Sequence, residues 1–198
     1  MLDKSPEQIL DGKLVHIQNE FKEKIPNVVL CSEPFHKAEF LNKLIESVEK
    51  PIIFVDLDLL YTGYVESGMI QKKNNLTIFH PTKQNWEEKF TEIITKVSKE
   101  KFLVIIDSFN GVYNMFDDLE SAIFINSCIM LLASLGKDTD SSIIITAMAR
   151  KKENNGWILT PGGKQIIKSA KTGIYLLKKI EKDLIIRQIE GDSKIFKI

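Results

Sequence analysis

Short, unbroken runs of apolar residues recur along the chain and alternate with segments whose apolar residues lie at helical spacing. A continuous run of this kind predicts a strand buried on both faces, as in a parallel sheet covered by helices. The run over residues 101–108, which ends in Asp107 and Ser108, is predicted to lie at the centre of the sheet. Similar runs predict strands at residues 27–31, 51–58, 76–79 and 142–146.

Apolar residues spaced three and four apart predict helices over residues 40–48 and 82–97. A third helix, predicted over residues 118–135 and ended by Gly136, is apolar nearly all round, which is typical of a deeply buried or interfacial helix. Residues 1–26 are mixed and polar, and we expect a lead-in segment with a short helix there.

The last part of the chain reads differently. Residues 148–164 predict a long polar loop, and a shorter loop is expected around Gly111. Two apolar runs at residues 173–177 and 184–189 predict a terminal hairpin. The chain is therefore expected to be one α/β domain over residues 1–198, a three-layer α/β/α sandwich whose mostly parallel central sheet ends in an antiparallel hairpin.

Composition narrows the functional classes. The 198 residues contain 27 basic and 27 acidic side chains, so no net charge draws the whole chain to nucleic acid or to a membrane. Only Arg150 and Arg187 are arginines, the usual bidentate readers of phosphate. Cys31 and Cys128 lie in apolar settings that suggest neither a disulfide nor a metal site. With no signal peptide and no long apolar run, a cytoplasmic protein without membrane contact is expected.

Acidic residues end two of the predicted strands. Ligands bind at the carboxyl ends of strands in open α/β sheets, so Asp107 has two interpretations: a magnesium-holding aspartate at a nucleotide site, or a polar residue where a strand reaches the surface. Asp56 and Asp58 likewise form a paired-carboxylate site or hold structural hydrogen bonds. The three histidines show no ligand spacing, and no metal site is predicted at His16, His36 or His80.

Lysines cluster in and after the predicted polar loop. They form either a basic surface for nucleic-acid phosphates or a set of separately solvated side chains. Trp157, in the same loop, would stack on a base, anchor a protein partner, or cover the core. The lysines concerned are Lys151, Lys152, Lys164, Lys168 and Lys171.

The order of three motifs resembles the RecA/RadA recombinase and KaiC superfamily from about residue 25 to the end. Residues 104–108 look like its Walker B strand, which typically ends Asp-Ser. Residues 53–58 are similar to its second strand, where a glutamate activates water. Residues 160–163 and 172–176 resemble its Gly-Gly pair and the strand that follows. The resemblance implies a RecA-like fold of the P-loop class.

The same resemblance implies a degenerate Walker A motif. With Lys37 on the motif lysine, Cys31 and His36 replace the two glycines and Ala38 replaces the magnesium-binding hydroxyl. Aligning residues 32–34 with the common Gly-Glu-Pro instead leaves the loop one residue short. Asp58 is a shortened counterpart of the catalytic glutamate, and Gly173 stands where the superfamily often has arginine. Residues 146–148 lack its frequent glutamine.

Two functional classes follow from these features. The first is a non-catalytic, recombinase-paralog-type subunit that binds a protein partner, nucleic acid or both, in DNA recombination, repair or a related complex. It would form a homo-oligomer, or a hetero-oligomer with another RecA-like protein. The alternative is a RecA/KaiC-like ATPase with an atypical P-loop. His36, Lys37, Ala38 and Asp107 would form a vestigial nucleotide site that at most binds ATP and magnesium weakly.

Overall fold

The computed structural model describes residues 8–10, 14–116, 119–152, 156–159, 171–189 and 194–198. Ten strands and six helices lie in these ranges. The strands are β1 (Gln8–Leu10), β2 (Asn27–Cys31), β3 (Ile52–Asp56), β4 (Leu76–Phe79), β5 (Leu103–Asp107), β6 (Ser142–Lys152), β7 (Gly156–Leu159), β8 (Gly173–Ile180), β9 (Asp183–Gln188) and β10 (Lys194–Lys197). The helices are α1 (Leu14–Glu23), α2 (Pro34–Glu46), α3 (Leu60–Glu66), α4 (Trp86–Val97), α5 (Phe109–Met115) and α6 (Leu119–Asp138).

The strands form one mixed sheet in the order β1-β10-β9-β8-β2-β6-β5-β3-β4, with β7 paired to the far end of β6. The five strands from β2 to β4 in this order, together with β8, run parallel. Strand β9 pairs antiparallel with β8 and with β10, and β1 pairs parallel with β10. The carboxyl ends of the parallel strands therefore meet at one edge of the sheet.

Two apolar cores cover the two faces of the sheet. On β5, Val104 and Ile106 point into a core with α4, α5 and α6, while Leu103 and Ile105 point into a core with α1, α2 and α3. Successive side chains of a strand point to opposite faces, so a strand buried on both sides needs an unbroken apolar sequence. The predicted three-layer α/β/α fold is confirmed, with β5 between parallel neighbours and the terminal hairpin as β8 and β9.

Three local predictions are wrong. The loop expected around Gly111 is helix α5, whose first residues Phe109 and Val112 are buried in the core. Helix α6 continues two residues past Gly136 to Asp138. The polar loop expected over residues 148–164 begins as regular structure, because β6 runs on to Lys152 and pairs antiparallel with β7. Residues 153–155 and 160–164 of that prediction lie outside the described residues.

Candidate functional site

Three carboxylates meet at the carboxyl edge of the sheet. Asp56 ends β3 and Asp107 ends β5, and these two residues are direct partners in the parallel register. Asp58 follows β3 in the turn before α3. Oxygen atoms of all three lie within 4.8 Å of one another, a grouping that could hold a metal ion. No metal site was predicted from the sequence because only the spacing of histidines was considered.

Lys37, in the first turn of α2, reaches into this group. Its Nζ lies 2.5 Å from Asp58 Oδ2 and 2.7 Å from Asp107 Oδ1. The lysine is 1% exposed, as is Asp107, whereas 29% of the Asp58 side chain is exposed. A positive charge of this chain therefore already lies between two of the three carboxylates.

Asp107 is enclosed on its other side by β6. Thr146 Oγ1 donates a hydrogen bond to Asp107 Oδ1, the same oxygen that contacts Lys37. Asp107 Oδ2 is buried and has no hydrogen-bond partner among the described residues. One turn on, the Asn110 amide brackets the Met148 backbone, donating to its carbonyl and accepting from its N–H. These contacts tie the start of α5 to β6.

Asp56 holds the start of α3. Its Oδ1 accepts from the Leu59 N–H at 2.9 Å, and its Oδ2 accepts from the Thr62 N–H at 2.9 Å and the Thr62 hydroxyl at 2.6 Å. The first amides of a helix have no partner within it, so a carboxylate there stabilises the helix start. Of the two interpretations made from sequence, these contacts favour structural hydrogen bonds for Asp56.

Charge in the cluster is unbalanced, because one lysine is shared by two acids. Burial disfavours the charged form of Lys37, but the carboxylates of Asp107 and Asp58 outweigh it and raise the lysine pKa. Burial raises the pKa of Asp107 to about 6, against the lowering effect of Lys37, and the Asp58 charge raises it further. Near neutral pH the lysine is thus a cation between two carboxylates.

The connection before Lys37 is short. Only Ser32 and Glu33 separate the end of β2 from Pro34, the first residue of α2. Cys31 and Ala38 are buried, and His36 lies beside the exposed ring of Phe35. Burial and the Asp107 charge raise the pKa of the Cys31 thiol well above its usual range, so it stays protonated.

The predicted basic group lies apart in the fold. Lys151 and Lys152 belong to the β6–β7 hairpin, where Lys151 pairs in register with Trp157. The side chain of Lys151 is exposed. Lys171 lies beside Lys137 of α6, whose hydrogen bond and positive charge lower the pKa of Lys171. Lys164 and Lys168 lie outside the described residues.

Sequence reasoning missed Thr146 and the direct contact of Lys37 with two acids. Thr146 was noted only because it stands near the superfamily's glutamine position. A threonine inside an otherwise apolar buried strand is itself a signal, because a buried hydroxyl needs a partner. The neighbouring strand supplies one in Asp107.

The fold is RecA-like. The structure is similar to "Crystal structure of the RadB recombinase", with a TM-score of 0.53 and 13% sequence identity, covering 86% of this chain and 85% of that chain. It is also similar to a solved helicase ATPase domain, with a TM-score of 0.53 and 8% identity, covering 89% of this chain and 80% of that chain. No protein-family model and no curated protein matches the sequence.

No helix in the described part of the chain combines the length and apolar character needed to cross a bilayer.

Proposed function

We propose that this chain is a non-catalytic RecA-like subunit that acts by binding a protein partner, nucleic acid or both, in DNA recombination, repair or a related complex. The observation that carries the proposal is the placement of Lys37 Nζ between Asp58 and Asp107, at 2.5 and 2.7 Å in a buried setting. The charge that a P-loop lysine offers to phosphate is here used within the protein.

The residues around Lys37 do not fit a magnesium-bound nucleotide. A P-loop wraps phosphate with a glycine-rich stretch of backbone amides between strand and helix, whereas Ser32 and Glu33 are the whole connection here. Ala38 has no hydroxyl to offer a metal ion. Thr146 and Lys37 both contact one oxygen of Asp107, and Asp56 is engaged by the start of α3. A degenerate Walker A motif accounts for all of these features.

Asp58 is also diverted from a catalytic role in this proposal. A catalytic carboxylate must lie within hydrogen-bond reach of the attacking water. Asp58 instead contacts Lys37 through Oδ2 and accepts from the Leu60 N–H through Oδ1 at 3.2 Å. Both of its oxygens therefore serve the local structure.

Phosphate release under single-turnover conditions tests the proposal. Excess protein is mixed with ATP and magnesium, alone and with single- or double-stranded DNA, and we expect no release above the rate without protein. Titration calorimetry with ATP and magnesium measures binding separately. A rate of about 1 s⁻¹, within the usual range of enzymes, that disappears in Lys37→Ala would establish the alternative, an ATPase with an atypical P-loop.

A further inference from the structure

One face of helix α6 is apolar and exposed. Ile123, Phe124, Met130 and Leu131 each expose between 39% and 57% of their surface. At about 100° per residue they fall, with Ser127 and Ser134, within one arc of about 120° on the helix. Ile125, Ile129 and Leu132 lie on the opposite side, in the core. We name the exposed residues, Ile123, Phe124, Ser127, Met130, Leu131 and Ser134, the α6 stripe.

The α6 stripe is self-complementary when read in opposite directions. Two large apolar residues stand four and three positions before Ser127, and two more stand three and four positions after it. If two copies pack antiparallel about a twofold axis at Ser127, Phe124 of one meets Met130 of the other and Ile123 meets Leu131. The small serine at the axis allows the two helices to approach closely.

Burying Ser127 at such an axis leaves no hydroxyl proton unsatisfied. Its Oγ donates to the Ile123 carbonyl at 3.0 Å within the same helix. A buried polar group costs free energy chiefly when it lacks a partner. The centre of the α6 stripe is therefore suited to a dry contact, although it is exposed in the single chain.

Charge at the two ends of the stripe differs in sign. Around its beginning, a groove is bordered by Glu87 and Glu120 against the single cation Lys83. Around its end, a second groove is bordered by Lys22, Lys137 and Lys171 against the single anion Glu23. Antiparallel pairing places Glu120 of one copy within a helical turn of Lys137 of the other, whereas parallel pairing sets like charges together.

The second groove also provides space for an anchor. It has a volume of about 730 Å³ and is lined in part by Met130, Ala133 and Ser134. In the antiparallel arrangement Phe124 of the second copy lies over Met130, at the rim of this groove. A large aromatic side chain entering an apolar pocket is the usual energetic centre of an interface.

From this pattern of shape and charge, we propose that α6 is the contact surface of a homodimer, in which two copies pack antiparallel through the α6 stripe about a twofold axis at Ser127. This inference extends the proposed function, a subunit that works by binding, by naming one partner and its surface. The four large side chains expose roughly 400 Å² per copy, about half of the ~800 Å² per partner in a stable interface. We therefore expect a reversible dimer with micromolar affinity.

Sedimentation velocity of the full chain, at roughly 1 to 200 µM, tests the surface. We expect the weight-average coefficient to rise from monomer to dimer, and Leu131→Asp to weaken the association at least tenfold because it places a charge in the contact. Met69→Asp, which changes a methionine that is 74% exposed outside the α6 stripe, is the matched control and should leave association unchanged. Circular-dichroism melts verify that both variants fold.

The twofold geometry has its own test. Ser127→Cys should be joined to its copy by a short bis-maleimide cross-linker, whereas Ser134→Cys should not, because its two copies would lie about 21 Å apart along the helices. Wild type, whose Cys31 and Cys128 are buried, gives the background. Glu120→Lys and Lys137→Glu should each weaken the dimer, and combining them in one chain should restore it.

A monomer at every concentration, or a dimer unaffected by Leu131→Asp, would refute the α6 surface. Efficient cross-linking through Ser134→Cys with none through Ser127→Cys would refute the antiparallel register. Neither result bears on phosphate release, so failure of the dimer and failure of the non-catalytic proposal are separable. An active ATPase would equally leave the sedimentation result intact.

Discussion

Lys37 carries its charge in a setting where water cannot replace a lost partner. Removing one member of a buried ion pair leaves the other charged and unpaired, which typically costs about 3–5 kcal/mol. Asp107 would be left in that state if Lys37 became apolar, since it is 1% exposed.

We therefore expect Lys37→Met to lower the free energy of unfolding by about 3–5 kcal/mol in urea denaturation at pH 7. Lys43→Met is the matched control, because Lys43 belongs to the same helix but forms only a surface pair with Glu39 at 4.0 Å. A change within about 0.5 kcal/mol is expected there. A Lys37→Met variant as stable as wild type would mean that the lysine does not hold the carboxylates together.

Asp107 makes a second, pH-dependent prediction. Its pKa is raised from 3.8 to about 6 in the folded protein, so the folded state keeps this proton after the unfolded chain has released it. The stability owed to Asp107 is therefore complete below about pH 4 and is lost as pH rises to about 6. At 1.36 kcal/mol per pKa unit, the change amounts to about 3 kcal/mol at most.

Asp107→Asn removes that titration and leaves Lys37 paired with Asp58. Urea denaturation of both proteins between pH 4 and 7.5 measures the difference in their free energies of unfolding. Wild type should lose stability relative to Asp107→Asn as pH rises from 4 to 6. A constant difference across this range would show that Asp107 titrates at an ordinary pKa.

At the residue scale, the sequence located the site but not its contacts. The strand-end position of Asp107 and the first-turn position of Lys37 were both predictable, because each follows from the order of strands and helices. That Lys37 contacts Asp58 and Asp107 was not, because it depends on a two-residue connection and on the direction of a long flexible side chain.

At the scale of elements, two helical glycines have opposite surroundings. A Cβ at Gly111 in α5 would lie 2.7 Å from Leu57 Cβ and 3.1 Å from the Leu57 backbone. A Cβ at Gly63 in α3 would meet no atom within 4 Å. The same substitution thus tests close packing at one site and helix propensity at the other.

We expect Gly111→Ala to lower the free energy of unfolding by about 1–3 kcal/mol, because the turn after β3 must move to admit the methyl group. Gly63→Ala should raise it by about 0.4–1 kcal/mol through helix propensity and reduced freedom of the unfolded chain. Denaturant midpoints of both variants provide the measurement. Stabilisation by Gly111→Ala would contradict the close approach of α5 to Leu57.

The same glycine explains a failed prediction. Gly111 was taken as a loop signal, yet glycine is needed there because α5 lies against backbone, and the neighbouring Phe109 and Val112 hold the helix in the core. The extension of β6 was missed for another reason. Polar residues around Lys151 show no strand pattern by themselves, and the strand exists there through its pairing with β7.

For the whole molecule, sequence predicts the parallel centre better than the edges of the sheet. Continuous apolar runs mark β2, β3, β5 and β6 because helices cover them on both faces. The pairing of β1 with β10 joins the two ends of the chain, and no local pattern encodes a contact at such separation. Three-residue β1 is too short to be told from a loop.

The absence of net charge makes a local prediction about nucleic acid. Binding then depends on a few lysines, and each phosphate contact contributes about −0.9 to the slope of log K against log salt on duplex DNA. The β6–β7 hairpin places Lys151 and Lys152 in succession on one strand. If they contact phosphates, both should contribute to the salt dependence.

We expect Lys151→Ala with Lys152→Ala to weaken binding to a fluorescein-labelled DNA duplex and to reduce the magnitude of the salt slope by about 2. Lys96→Ala with Lys99→Ala is the matched control, because it removes the same charge at the end of α4 and should leave the slope as in wild type. Fluorescence anisotropy between roughly 50 and roughly 200 mM salt covers the range in which such contacts act. Equal slopes in all three proteins would exclude the hairpin from the nucleic-acid surface, while equal losses in both variants would mean that only total charge matters.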